Sequence, residues 1–389
     1  MLSKRQAKML RAVWAVAPVG CALAGGLWAP NEAQASTWAG TNGSFFDSSW
    51  AGTPNPPTNG LIDGTPFTAT PPTTATSGTW PQAFIANGGS VTFNGGTQTI
   101  GINLLRVGWA GPVSALSTNA GTAVFSIDSG TLLIDQNPVV GDGAVGTVNI
   151  TGGQVVMKET KHFYLGALSD GVINLSGGSL VLSRYGIENG AGVSTFNMSG
   201  GTVEYWGWNL AAPIANQIKQ IQADYFRFTG GWLGGLAGIR SATVINEVSG
   251  SGSISLHASS AAAITFDLNA DSTWNGFTTS GTVALGTGSG SLIKTGPAAL
   301  TLTAVQGHHG STTVNGGSLI LDYSTNPELL ANDSTITMGG GTLRLKANAS
   351  GSTSETINRL QFSQGGSTVI MDKNGGSGIT LVANTAALN

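Results

Sequence analysis

Apolar and polar residues alternate in short runs between Val140 and Tyr205, and the same run occurs three times. Each copy reads apolar, Asn, apolar and then ends in a Gly-Gly pair, at 147–153, 172–178 and 195–201. Strand side chains point alternately to opposite faces, so this pattern predicts strands. The apolar residues would face a core, and three asparagines would face outward as a polar ladder: Asn149, Asn174 and Asn197.

The spacing of the Gly-Gly pairs indicates a stacked repeat. Gly153 and Gly178 are 25 residues apart, and Gly201 follows 23 residues later. A period of this length is typical of solenoids. Glycine allows the chain to turn without a Cβ clash, and apolar alternation resumes after each pair, at Leu180 for example. We therefore predict an all-β fold, a parallel β-helix whose coils pair strand on strand.

The repeat divides the chain into segments. We expect a signal peptide at 1–35, an N-terminal cap at 36–87, β-helix coils at 88–205, irregular coils at 206–285 and further coils at 286–389. The cap would cover the unpaired edge of the first coil. Within the irregular segment, a proline and isoleucines at helical spacing predict one short helical insertion: Pro213, Ile214, Ile218 and Ile221.

The first 35 residues resemble a secretory signal. Basic residues precede an apolar run at 12–29, and Ala33 and Ala35 form a small-residue cleavage site before Ser36. We expect the mature chain to begin at Ser36, to be secreted or displayed on the outer cell surface, and to have no transmembrane segment. An uncleaved anchor is the alternative. Cys21 lies within the apolar run, where Pro18 argues against a lipid-attachment site.

Composition narrows the possible functions. Cys21 is the single cysteine, so the mature chain would have no disulfide and no thiolate metal site. Removing four basic residues and Glu32 from the totals of 16 and 19 leaves 12 basic and 18 acidic residues, a net charge of −6. This charge argues against nucleic acid as a partner. With 59 glycines and only 9% charged residues, the composition is typical of a β-rich chain with many corners. We expect a monomer.

One stretch resembles a known family repeat. The segments 290–296, 300–302 and 310–321 resemble the autotransporter-associated β-strand repeat of bacterial passenger proteins. The family usually has Asn-x-Tyr before the middle glycine, where this chain has Gln306, Gly307 and His308. The resemblance implies a right-handed parallel β-helix outside the cell. We expect either a fragment or another export route, because the family's C-terminal outer-membrane barrel is not found in this sequence.

Motifs for cofactor or metal chemistry are weak. The run from Gly141 to Gly146 matches a dinucleotide fingerprint, but a strand is predicted after it where the fingerprint requires a helix. Histidines occur without metal-ligand spacing and are better explained as corner residues: His162, His257, His308 and His309. We therefore predict no cofactor, no metal and no catalytic residue.

Acidic residues remain open to a second interpretation. Many parallel β-helices are polysaccharide lyases or hydrolases, and stacking could bring together Asp142 with Asp170, or Asp128 with Asp135. The predicted strand faces, however, carry mainly Asn, Ser and Thr. A carbohydrate-active enzyme is thus the alternative to a non-enzymatic protein.

Aromatic residues are the better candidates for ligand contact. Four could stack on a sugar or insert into a partner: Tyr205, Trp206, Trp208 and Trp232. The competing interpretation is that they seal an irregular coil. Together these features predict a structural or adhesin-like β-helical passenger protein, with extracellular glycans or surface proteins as its partners.

Overall fold

The computed structural model describes residues 35–38, 42–44, 50–52, 61–62, 82–86, 89–109, 122–158, 161–183, 185–205, 221–235, 238–239, 243–250, 252–256, 262–275, 290–363 and 365–388. These residues form strands, turns and extended segments, and no α-helix occurs among them. The predicted signal peptide up to residue 34 and the predicted helix from 213 to 220 lie outside the described residues. Ile221, the last residue of that helix pattern, is buried in a β-bridge position.

The first sixteen strands include the three copies of the repeat. They are β1 (Ala35–Trp38), β2 (Asn42–Ser44), β3 (Trp50–Gly52), β4 (Leu61–Ile62), β5 (Gln82–Ala86), β6 (Ser90–Ile102), β7 (Leu104–Trp109), β8 (Ala123–Ile134), β9 (Val139–Val140), β10 (Gly146–Ile150), β11 (Gln154–Met157), β12 (Phe163–Leu165), β13 (Gly171–Leu175), β14 (Ser179–Leu182), β15 (Ile187–Asn189) and β16 (Ser194–Tyr205).

The remaining fifteen strands follow the predicted irregular segment and the second set of coils. They are β17 (Tyr225–Leu233), β18 (Thr243–Ile245), β19 (Glu247–Val248), β20 (Ser253–Ile254), β21 (Ala263–Asp267), β22 (Ser272–Trp274), β23 (Ser291–Thr295), β24 (Ala299–Leu302), β25 (Thr312–Val314), β26 (Ser318–Asp322), β27 (Thr335–Met338), β28 (Thr342–Lys346), β29 (Ser352–Phe362), β30 (Thr368–Asp372) and β31 (Gly378–Leu388).

The chain forms two compact units. The first contains the described residues up to Asn174 together with Ile187–Thr195. In it, one seven-stranded sheet has the order β15-β12-β9-β7-β5-β1-β3, and β8 pairs in parallel with β6, β10 and β11. The N-terminal strands pair with the first coil strands, β1 with β5 and both β2 and β4 with β6. This pairing covers the edge of the first coil. The cap at 36–87 stays a prediction, because most of that segment lies outside the described residues.

The second unit contains Leu175–Gly186 and the described residues from Phe196 onward. It includes a seven-stranded sheet with the order β18-β21-β23-β25-β27-β29-β31 and a five-stranded sheet with the order β22-β24-β26-β28-β30. Among the described residues, the strand pairings of these two sheets are parallel. Parallel pairing of successive coils confirms the predicted β-solenoid.

Glycine corners separate the strands in the first two copies of the repeat, whereas the third glycine pair, at 200–201, lies within β16. The second glycine of each copy has a positive φ, +62° at Gly153, +64° at Gly178 and +69° at Gly201. At Gly152, an added Cβ would lie 2.1 Å from the carbonyl oxygen of Asp128 in the coil before it. Glycine is thus required both for the backbone conformation and for the close approach of coils.

The core differs from the expectation in one respect. Leu180 is fully buried, as predicted, and is in register with Val203. Its neighbour Val181, which alternation places on the opposite face, is also fully buried, and so is Val156 in β11. These strands are therefore buried on both faces, a situation in which apolar runs replace alternation.

Candidate functional site

Outward polar residues bond from coil to coil. In the first unit, the Asn174 amide donates to Asn149 Oδ1 at 2.8 Å, and the Asn149 amide donates to Ser126 Oγ at 3.4 Å. Asn197, in the second unit, is half-buried. The predicted asparagine ladder therefore exists in the first unit, where it holds neighbouring coils together.

The carboxylates considered for catalysis each have a partner in a neighbouring coil. Asp128 accepts from Thr151 Oγ1 at 2.7 Å, and Asp170 accepts from the backbone N–H of Val193 at 2.9 Å. Asp135 pairs with Lys158. Asp142 pairs with Arg106, and both side chains of this pair are buried.

The Arg106–Asp142 pair is the most enclosed ion pair of those described. The Arg106 Nη1 atom lies 2.6 Å from Asp142 Oδ2, and the guanidinium carbon lies 4.4 Å from the centre of the Trp109 ring. Burial raises the pKa of Asp142, although the adjacent guanidinium opposes this shift. The glycine run at 141–146 leads into strand β10, as predicted, so it lacks the helix that a dinucleotide site requires.

The histidines among the described residues each lie beside a different partner side chain. The Nδ1 atom of His162 lies 2.7 Å from Glu188 Oε1, and Nδ1 of His309 lies 3.1 Å from Asp333 Oδ1. His308 is buried beside Thr312, with 2.8 Å between Nε2 and Oγ1, and burial lowers its pKa to about 4. His257 lies outside the described residues. Within the described ranges, no group of three or more His, Cys, Asp or Glu residues could hold a metal ion.

Two of the four predicted ligand-stacking aromatics, Tyr205 and Trp232, belong to the described residues. Tyr205 is 2% exposed and lies in the core, where burial raises its pKa. Trp232 is half-buried, and its Nε1 atom donates to Ser255 Oγ at 2.7 Å. Trp206 and Trp208 lie outside the described residues. A stacking role for Trp232 stays a prediction.

An open groove in the second unit is the candidate site. It has a volume of about 580 Å³, within the range of small-molecule sites. Two neighbouring coils line it: Glu247, Val248, Ser249 and Gly250 from one, and Ala270, Asp271, Ser272, Thr273 and Asn275 from the next. A bridge between Gly250 and Trp274 joins these coils. Their outward side chains therefore meet over the groove.

Glu247 is held in place by two side chains of the preceding coil. Its Oε1 atom accepts from Arg227 Nε at 2.7 Å, and its Oε2 atom accepts from the Tyr225 hydroxyl at 2.5 Å. Arg227 and Glu247 face each other in the strand register. The Tyr225 hydrogen bond, followed by that of Arg227, lowers the pKa of Glu247. Glu247 is therefore ionised at neutral pH and both oxygens are engaged.

Other lining residues retain unused hydrogen-bonding groups. Asp271 Oδ1 accepts from the backbone N–H of Ala299 at 2.8 Å, which leaves its second oxygen. Within the part of the chain that the structure describes, the hydroxyls of Ser249 and Thr273 have no hydrogen-bond partner. The Asn275 side chain is exposed, and its Oδ1 atom has a long contact of 3.5 Å with Thr303 Oγ1. The groove thus offers both donors and acceptors.

Sequence reasoning missed the groove because its residues lie where the Gly-Gly period is lost. A local signal exists at 225–228, where two aromatic residues point inward and Tyr225 and Arg227 point outward. The partner coil has no matching motif, since Glu247 and Asp271 are 24 residues apart with no glycine pair to fix the register. Periodicity could indicate the strand faces but not which coils meet.

Comparisons with protein-family models, with curated proteins and with solved structures found no match to this chain. The repeat resemblance at 290–321 is therefore untested by them. In the structure this stretch folds as β23 to β26, two strands in each of two sheets. No helix among the described residues is long and apolar enough to span a membrane.

Proposed function

We propose that this chain is a secreted or surface-displayed β-solenoid with a structural or adhesive role and without catalytic activity of its own. One observation carries the proposal. The carboxylates that stacking could have gathered into a catalytic cluster each bond a separate partner, and those bonds join neighbouring coils. Acidic residues used in this way stabilise a scaffold.

Extracellular location is supported by the sequence of residues 1–35 and by the repeat resemblance. A β-solenoid is suited to such a role because its stability is a sum over neighbouring coils and requires no cofactor or disulfide. The test is to express the full chain in a bacterium with a secretion pathway and to sequence the N-terminus of the exported protein. We expect Ser36 as the first residue; retention of the whole chain inside the cell would contradict the proposal.

Adhesion can be tested directly. Beads coated with the exported chain are applied to surfaces carrying mucin, fibronectin or a neutral polysaccharide, and bound beads are counted after washing. We expect retention on at least one surface above that of albumin-coated beads. Retention on every surface equal to that of albumin-coated beads would contradict the adhesive role and leave the structural role.

A carbohydrate-active enzyme is the second candidate, because Glu247 and Asp271 both line the groove. Glycoside hydrolysis requires one protonated carboxylic acid beside an ionised carboxylate. The lowered pKa of Glu247 suits it to accept hydrogen bonds rather than to donate a proton. We expect no reducing ends or unsaturated products from pectins, alginates or glucans, with or without Ca²⁺. Turnover abolished by Glu247→Gln would favour the enzyme instead.

A further inference from the structure

We propose that the groove between the coils of Glu247 and Asp271 binds an uncharged oligosaccharide. This inference deepens the adhesive function proposed above and rests on it for its biological meaning.

The lining matches the hydrogen-bonding character of a sugar. Hydroxyl groups of a saccharide both donate and accept, and the groove presents the Ser249 and Thr273 hydroxyls, the Asn275 amide and the second oxygen of Asp271. Three of these four side chains belong to adjacent outward positions of one coil, and Ser249 comes from the preceding coil. Coils repeat at about 4.8 Å, so a chain of pyranose rings lying across them would meet a new set of groups in each coil.

The charges favour a neutral ligand. Two carboxylates and no basic side chain are among the described lining residues, so an anionic saccharide would be repelled. A bare cation is also disfavoured. Both oxygens of Glu247 are engaged by Arg227 and Tyr225, and calcium takes six or more oxygen ligands.

Tyr225 adds an aromatic surface next to the groove. Its side chain is 37% exposed, and its hydroxyl is fixed by Glu247. An aromatic ring held in one orientation can pack against the apolar face of a sugar with little loss of side-chain entropy. Ala270, which is exposed in the same groove, provides a second small apolar contact.

The backbone argues against a peptide strand as the ligand. Binding of a peptide by strand addition needs an unpaired strand edge. Strand β22 is paired with β24 on one side and is bridged to Gly250 at Trp274 on the other. The groups available to a ligand are therefore mainly side chains, as in a saccharide site.

The test is isothermal titration calorimetry of the full chain with cellohexaose, maltohexaose, xylohexaose and mannohexaose, beside hexagalacturonate and an uncharged serine-glycine peptide. We expect at least one neutral hexasaccharide to bind. Thr273→Trp should fill the groove and abolish binding, and Ser249→Ala, which removes one hydrogen bond, should weaken it about fivefold. Both residues are exposed, so circular dichroism and melting curves should be unchanged.

Thr301→Val is the matched control, because Thr301 is in register with Thr273 but lies one coil beyond the groove. It should leave binding unchanged. Absence of binding to all four neutral saccharides, tighter binding of hexagalacturonate or of the peptide, or undiminished binding by both Thr273→Trp and Ser249→Ala would overturn the inference.

Beads carrying Thr273→Trp separate the two proposals. Adhesion that persists in this variant means that the groove does not account for adhesion and leaves the adhesive function. Saccharide binding by the unaltered chain without bead adhesion leaves the groove site and removes the adhesive function.

Discussion

The regular coils at 89–109, 122–205 and 290–363 use their polar groups differently from the irregular coils at 221–275. In the regular coils, Asn174 bonds Asn149 and Asp142 bonds Arg106, so polar side chains are consumed between neighbours. In the irregular coils, Glu247 likewise bonds Arg227 and Tyr225, but Ser249 and Thr273 face an open groove without partners among the described residues. Regular spacing thus favours stability, and loss of spacing makes polar groups available for a ligand.

The difference follows from register. Where the period is constant, like outward residues can stand beside each other in successive coils, as Asn149 and Asn174 do, and a ladder forms. Where the period changes, unlike residues meet. Glu247 is then beside Arg227, and Ser249 lies next to the coil of Thr273. In this fold, ligand sites are therefore expected where the repeat is least regular.

The largest effect is expected from a charge placed in the core of the regular coils. Leu180→Asp should bury an unpaired carboxylate and lower the free energy of unfolding by about 4 kcal/mol. Since solenoid stability is a sum over neighbours, the thermal transition should split or shift for adjacent coils. Val244→Asp is the control in the irregular coils, because Val244 is 38% exposed. Equal losses in the two variants would contradict the inward orientation of Leu180.

Ion pairs in the two regions should also behave differently. Asp142→Ala leaves Arg106 buried without its partner, at a cost of about 3–5 kcal/mol. Glu247→Ala removes the partner of an Arg227 side chain that is 51% exposed, and solvent screens that charge. The melting temperature should decrease strongly for Asp142→Ala and should not change resolvably for Glu247→Ala. A comparable decrease for Glu247→Ala would mean that the groove residues are structural.

Much of the fold was predictable from short-range patterns, and the groove was not. Alternation around Asn149 and Asn174 gave the strand faces, and the Gly-Gly pairs gave the corners, since both depend on residues close in sequence. Tyr205 was expected as a surface contact, yet it is buried, because alternation from Val203 places it on the inward face. Which outward residues meet between coils depends on loop lengths, and the two glycine pairs between Arg227 and Glu247, at 230–231 and 234–235, are only four residues apart and so indicate no single register.

Buried His308 should make the regular coils sensitive to acid. Its pKa is lowered from 6.5 to about 4, so the folded state favours the neutral ring. The unfolded chain takes up the proton first, and stability that is complete above about pH 6.5 is lost as pH falls toward 4, by about 3 kcal/mol. Denaturant unfolding at stepped pH should show this slope, and His308→Gln should reduce it. The exposed His309→Gln control should keep most of it; if both variants behave alike, His308 is not the group responsible.

The smallest effect compares one substitution in the two regions. Asn174→Asp replaces the amide that donates to Asn149 Oδ1 by a carboxylate, so one hydrogen bond is lost and two oxygens are brought together. We expect a loss of about 1 kcal/mol in the free energy of unfolding. Asn275→Asp in the groove keeps its oxygen as an acceptor for Thr303 and remains exposed, so the melting temperature should not change. The reverse order would place the inter-coil bonding in the irregular region, and the division between scaffold and groove would then have to be abandoned.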